Sequence, residues 1–176
     1  MRHTALFLLT AIAAFARADV VSLSSPLTET IYALDAQDRL AGVTDVSVFP
    51  PQVIADRRSG KVRELGGFMT PDLAAIEALH PSVVLTSTSF QRPLADRLRA
   101  KGLRVLHFEP ASIADIFTQT EQIGAAVGKA SQAARLTQRM RAELAEIKSK
   151  TAALPKVRVY MEINHEGPWT VGSASP

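Results

Sequence analysis

The chain contains no cysteine. That excludes disulfide staples, thiolate metal sites, a cysteine nucleophile and a lipid anchor carried on a cysteine behind a leader. Aromatic residues are sparse at 6%, with a single tryptophan. The longest apolar run, Ala5 to Phe15, is about half the ~20 residues a membrane-spanning helix needs. HExxH and GxSxG are absent, and no histidine pair has metal-ligand spacing, so neither a zinc-protease centre nor a hydrolase elbow is written here. Internal repeats and low-complexity segments are absent too. The balance of 47% hydrophobic and 21% charged residues is that of an ordinary soluble globular protein.

The first 21 residues, MRHTALFLLTAIAAFARADVV, have a basic start, an apolar centre and a small-x-small site at Ala16-Arg17-Ala18. This is the pattern of a secretory signal peptide over residues 1–18. Cleavage removes Arg2 and Arg17 and lowers the net charge from +3 to about +1. No nucleic-acid partner is expected from so weak a surplus in an exported protein.

From Asp19 on, short β-rich runs alternate with helical patterns. Strands are expected at Val20–Ser24, Arg39–Thr44, Ser82–Ser87 and Arg104–Phe108. Between them lie helices opening at Pro26, over Thr70–Pro81 with Thr70 as cap, over Pro93–Lys101, and from Ser112 to Val127. Phe49–Pro51 reads as an extended turn and Ser59–Gly67 as a loop. Lys129–Ala153 is one long helix with an apolar stripe at Leu136, Met140, Leu144 and Ile147. Lys156–Ile163 alternates as a new strand, followed by a loop carrying Trp169. The pattern is α/β: a parallel-sheet N-terminal lobe over residues 19–128 with flanking helices, a long bridging helix over 129–154, and the start of a second α/β lobe over 155–176.

Gly124–Ser131, GAAVGKAS, imitates a phosphate loop but fails it. Three residues separate the glycines where four are needed, and Ala130 follows the lysine where Ser or Thr must. In open parallel sheets, ligands sit outside the carboxyl ends of the strands. The loops there offer Ser25, Pro26, Phe49, Phe68, Met69, Ser87, Ser89, Phe90 and Glu109. Hydroxyls, helix N-termini and aromatic faces together suit a mid-sized ligand with polar edges and apolar surface.

Taken in order, the segments VVSLSSPLTETIYALDAQDRLAGVTD, FPP, GGFMTPDLAAIEALHPSVVLT, LRAKGLRVLHFEPASIADIFTQTEQIGAAVG and VYMEINHEGPWTVGSAS resemble the periplasmic substrate-binding proteins of ABC importers for vitamin B12, ferric siderophores and haem. The resemblance implies two α/β lobes joined by one rigid helix, with small lobe movement on binding and a chain truncated within the second lobe. It implies capture of cobalamin or a ferric-siderophore-like metal chelate and delivery to a membrane permease. It also implies a monomer free in the periplasm, with no catalytic residues, no resident cofactor and no metal site of its own. Trp169 would face the cleft from the second lobe. The family's acidic permease-docking residue falls near Gln91–Arg92, where neither residue is acidic; Asp96, Glu64 and Glu77 are the substitutes in reach.

Two alternatives stay open on the residues. One is haem capture, which needs an axial Tyr or His near the cleft; Tyr32 and Tyr160 fall inside expected elements, and His165 is the only loop candidate. The other is a small secreted α/β hydrolase using Ser25, or His165 with Glu166. The leader reading has a direct check: the exported protein should begin at Asp19 by N-terminal sequencing, and a retained Met1 overturns it.

Overall fold

Successive side chains of a strand point to opposite faces, and the first strand, β1 (Val20–Ser22), is buried on both. The computed structural model describes residues 18–164 and 169–170. β1 lies at the centre of a five-stranded parallel sheet with β2 (Leu40–Val43), β3 (Arg63–Glu64), β4 (Val83–Ser87) and β5 (Val105–Phe108), in the order β3-β2-β1-β4-β5. Val20, Val43, Val83 and Leu85 face one core with Leu27 and Ile31 of α1 (Ser25–Ala33), Val53 of α2 (Pro51–Arg58) and Ile123 of α5 (Ile113–Ala126). Val21, Leu23, Leu65 and Val84 face the other, against Ala75 and Ile76 of α3 (Leu73–Ala78) and Leu94 and Leu98 of α4 (Arg92–Ala100). Three layers result, as expected from the alternating pattern.

Several boundaries differ from the sequence expectation, each for a local reason. α3 starts at Leu73, not near Thr70, because Asp72 is its cap: its Oδ1 accepts from the Ala75 amide at 3.0 Å. Pro71 instead forms an isolated bridge with Gly66. The stretch read as an extended turn and loop holds α2, opened by Pro51, and the two-residue strand β3. Pro51 fits a first helical turn because its missing N–H has no helical partner to lose. β3 is too short and polar to register as alternation, and it forms only because β2 offers Gly42 and Val43 as partners. The strand expected over Lys156–Ile163 is confined to β6 (Glu162–Asn164), paired antiparallel with β7 (Trp169–Thr170). Val157, Val159 and Tyr160 are exposed and carry no ladder. Alternation supplies a pattern, but a strand also needs a neighbour for its N–H and C=O groups.

The long helix is present as α6 (Ala130–Thr151), antiparallel to α5. Gly124 and Ala133 bring the two helices close: a Cβ on Gly124 would stand 2.3 Å from that of Ala133. Further along, Thr137 donates to Glu121 at 2.9 Å and the Arg141 guanidinium lies 4.2 Å from the Phe117 ring centre. These pairings bring the start of α5 level with about residue 145 of α6, and every residue of α6 after Met140 is exposed. The last turns of α6 therefore project past the end of the lobe that carries the carboxyl termini of the strands.

Gly124→Val should lower the unfolding free energy by about 1–3 kcal/mol, the usual cost of overpacking. A urea titration checks it, and an unchanged midpoint would show that α5 and α6 can separate freely.

Candidate functional site

The order of the strands reverses between β1 and β4, so their following loops part to opposite sides and leave a crevice. In this chain the crevice is filled by the protein itself. The Ser87 hydroxyl donates to Ser24 Oγ at 2.7 Å across it. Gln91, 0% exposed, reaches in from the 3-10 turn Ser89–Gln91. Its Oε1 accepts from the Ser87 amide at 2.9 Å. Its Nε2 donates to the carbonyls of Leu23 at 2.8 Å and Phe68 at 2.7 Å. One amide thus joins the ends of β1 and β4 to the Gly66–Thr70 loop. Gln91 is consequently no surface position.

Ser87 is likewise interior, its hydroxyl spent on Ser24, so it supports the face from below. Ser25 donates to the Val46 carbonyl at 2.8 Å and pins the loop after β2 to the start of α1. Beneath that loop the buried hydroxyls of Ser22, Thr28, Ser47 and Thr44 lie within 2.9–3.3 Å of one another in sequence along a string. Arg57 holds the same loop from its other side, donating to the carbonyls of Asp45 at 3.0 Å and Ser47 at 3.2 Å while pairing with Glu64.

On this support the loops raise Phe49, Met69 and Phe90, which are 58%, 54% and 72% exposed, together with Val46 and Val48. Phe68 is half-buried, and Ser89 and Pro26 are exposed. Phe49 and Pro26 also border a groove of about 320 Å³ with Leu136 and Met140 of α6. Glu109 lies apart from them, in a recess of about 200 Å³ with His107, Pro110 and Asp115. The candidate residues therefore share one end of the sheet without closing into one pocket. The side chain of Trp169 lies outside the described residues, as do His165 and Glu166.

Glu109 is the best-connected charge on this face. Its two oxygens accept from Arg92 Nε at 2.9 Å and Nη2 at 2.5 Å, and Oε1 also lies 2.7 Å from His107 Nε2. A carboxylate only accepts, so that ring nitrogen carries a proton; the other, Nδ1, lies 2.9 Å from Thr86 Oγ1. The Arg92 bonds first and the His107 contact second hold the Glu109 carboxyl down to about 2. A lowered value means the pair is intact above the ordinary carboxylate range and is lost only as pH falls toward that value. Of the substitutes for a docking acid, Glu64 pairs with Arg57, Glu77 with Lys101 and Asp96 with Arg99.

Of the candidates for an axial haem ligand, Tyr32 is engaged within the lobe, and His165 lies outside the described residues. Tyr32 donates to Asp56 at 2.7 Å, and burial with that bond holds its hydroxyl proton well above the usual range. It is a tie between α1 and α2. Ser25 meets no general base among the described residues. Those residues also contain no cluster of three or more metal-ligating side chains, and no helix long and apolar enough to cross a membrane.

Residues 20–176 match the profile of the family described as periplasmic binding protein. An uncharacterised ABC transporter substrate-binding lipoprotein of Bacillus subtilis is 30% identical over 78% of this chain and 43% of its own. A vitamin B12-binding protein of Vibrio parahaemolyticus is 24% identical over 84% of this chain and 52% of its own. An ABC transporter substrate-binding protein of Listeria monocytogenes superposes with a TM-score of 0.73 at 25% identity, covering 89% of this chain and 58% of its own. The chain spans about half the length of the curated relatives it matches.

Gln91→Leu should cost roughly 2–4 kcal/mol, since it strands two buried carbonyls and one amide. Gln91→Glu sets a carboxylate against two carbonyl oxygens, which raises its folded pKa; that variant should recover stability as pH is lowered and the group protonates. Denaturant melts at two pH values read both, and wild-type stability in either variant would remove Gln91 as the tie.

Proposed function

The chain belongs to the periplasmic binding protein family, and from that premise we propose that it is the solute-capturing part of an ABC importer. The cargo is cobalamin or a ferric-siderophore-like metal chelate. The protein is exported, works in the periplasm as a monomer, hands its ligand to a membrane permease, and makes or breaks no bond. Nucleic acid plays no part.

One observation carries this reading. Three loops raise large exposed apolar side chains at the carboxyl end of the sheet, and α6 projects past that same end. A lone lobe that leaves Phe49, Met69 and Phe90 in water gains nothing from them. A binder that closes a flat or macrocyclic ligand against them gains burial of about 25 cal/mol per Å² of apolar surface covered. The name of the Vibrio relative favours a corrinoid among such ligands. Ligand-binding roles are assigned to Phe49, Phe68, Met69 and Phe90 by stacking and burial, to Ser25, Pro26, Ser89 and Glu109 at the polar margin, and to Trp169 from beyond β6.

Calorimetric titration of the protein from its complete reading frame with cyanocobalamin and ferric siderophores tests the proposal. Binding to one of them is expected, with Phe90→Ala weakening it about tenfold, or about 1.4 kcal/mol. Absence of binding to all, or turnover of an ester or phosphate substrate, would remove it.

A further inference from the structure

The two arginines nearest the face, Arg57 and Arg92, are both held by carboxylates. Their situations differ. The Arg57 side chain is largely covered and its bonds run to the protein's own loop carbonyls. The Arg92 side chain is 61% exposed, follows directly on the turn that carries Phe90, and bonds only to Glu109. It has the position of an anion receptor, yet the Nε–Nη2 edge of its donors is already taken by a bidentate carboxylate. A second anion arriving at Arg92 would meet the Glu109 charge a few ångströms behind it. His107, propped by Thr86, fixes Glu109 in that place, so the carboxylate cannot swing away without giving up a second bond.

We propose that Glu109 is the specificity-determining residue for ligand charge: by occupying and cancelling Arg92 it makes this face select an uncharged chelate and reject a polyanionic one. The inference rests on the chelate-binding reading above and narrows it to one class, metal chelates without net charge whose edges carry neutral hydrogen-bonding groups. The physical content is simple. Removing the carboxylate charge leaves the Arg92 guanidinium uncompensated, two residues along the chain from Phe90, and an uncompensated guanidinium attracts a planar anion.

Three probes separate charge from size: cyanocobalamin, an uncharged ferric tris-hydroxamate, and a trianionic ferric tris-catecholate. The quantity read is the affinity for the catecholate relative to the tightest uncharged probe. Wild type should prefer the uncharged probe. Glu109→Gln should move the ratio toward the catecholate by about tenfold at low ionic strength, an effect that shrinks as salt shortens the screening length. Adding Arg92→Gln to Glu109→Gln should cancel the shift, and Arg92→Gln alone should move the ratio the opposite way. A purely structural role for Glu109 would weaken all three probes together and leave the ratio in place. A ratio unmoved by Glu109→Gln, including a catecholate that remains undetectable, overturns the proposal, as does a shift that survives loss of Arg92. If wild type binds none of the three, the chelate-binding reading itself has failed. If it binds an uncharged probe but the ratio does not move, only the role of Glu109 has.

Discussion

The candidate face depends on a single buried amide. Parallel strands that reverse order leave a gap between the loops of β1 and β4, and a gap of that kind is usually where a ligand enters. Gln91 closes it with one acceptor and two donors, meeting an amide of β4, a carbonyl beyond β1 and a carbonyl of the Phe68 loop. Neither a carboxylate nor an aliphatic side chain supplies that combination. With the gap closed, the ligand surface moves outward to what the loops display. It is also stiffened there, because the loop carrying Phe68 and Met69 and the turn carrying Phe90 are tied to the sheet through the same residue.

Charge on this face serves position more than stability. Ion pairs open to solvent contribute about 0–1 kcal/mol, so the Arg92–Glu109 pair does little to hold the fold together, while the Arg57–Glu64 pair, with Arg57 largely covered, keeps Arg57 on its loop. They do remove two cations from competition for a ligand. What remains outward is mostly apolar side chain and hydroxyl. Recognition on such a surface comes from shape and burial, with polar groups at the margin setting orientation. On the proposed reading, this property would make a corrinoid or a neutral siderophore a better match than a small anion.

Much of this was legible in the sequence, and the gaps have physical causes. The alternation of apolar runs with helical patterns gave the parallel sheet, because those runs are buried on both faces. Phe49, Met69 and Phe90 could be placed on the right loops because they follow strand ends. β3 escaped notice, since two polar residues become a strand only through their neighbour. The strand expected at Lys156 was overread for the converse reason. The role of Gln91 left no signal: nothing in a single glutamine between Phe90 and Arg92 says that it turns inward to join three backbone segments. The same holds for the Glu109 array, whose members, Thr86, Arg92 and His107, come together only when β4 pairs with β5. Hydrogen bonds across a sheet leave no periodic trace in sequence.

The stripe on α6 illustrates how one pattern can serve two neighbours. Leu136 and Met140 are half-buried, whereas Leu144 and Ile147, continuing the same spacing, are exposed. The change falls where α5 runs out. At 22 residues α6 is about 33 Å long, against about 21 Å for the 14 residues of α5. In a two-lobed binder the projecting turns would carry the stripe to the cleft side, where a second lobe covers it. A continuous helix resists bending far better than a loop of equal length, because each residue added to it is fixed by a further backbone hydrogen bond. The distance between the two ligand surfaces would then be set by the helix itself. Selectivity in such a protein would lie in what the surfaces display rather than in how far they move, and on the proposal above one side chain pair at the rim would then have leverage over the choice of ligand.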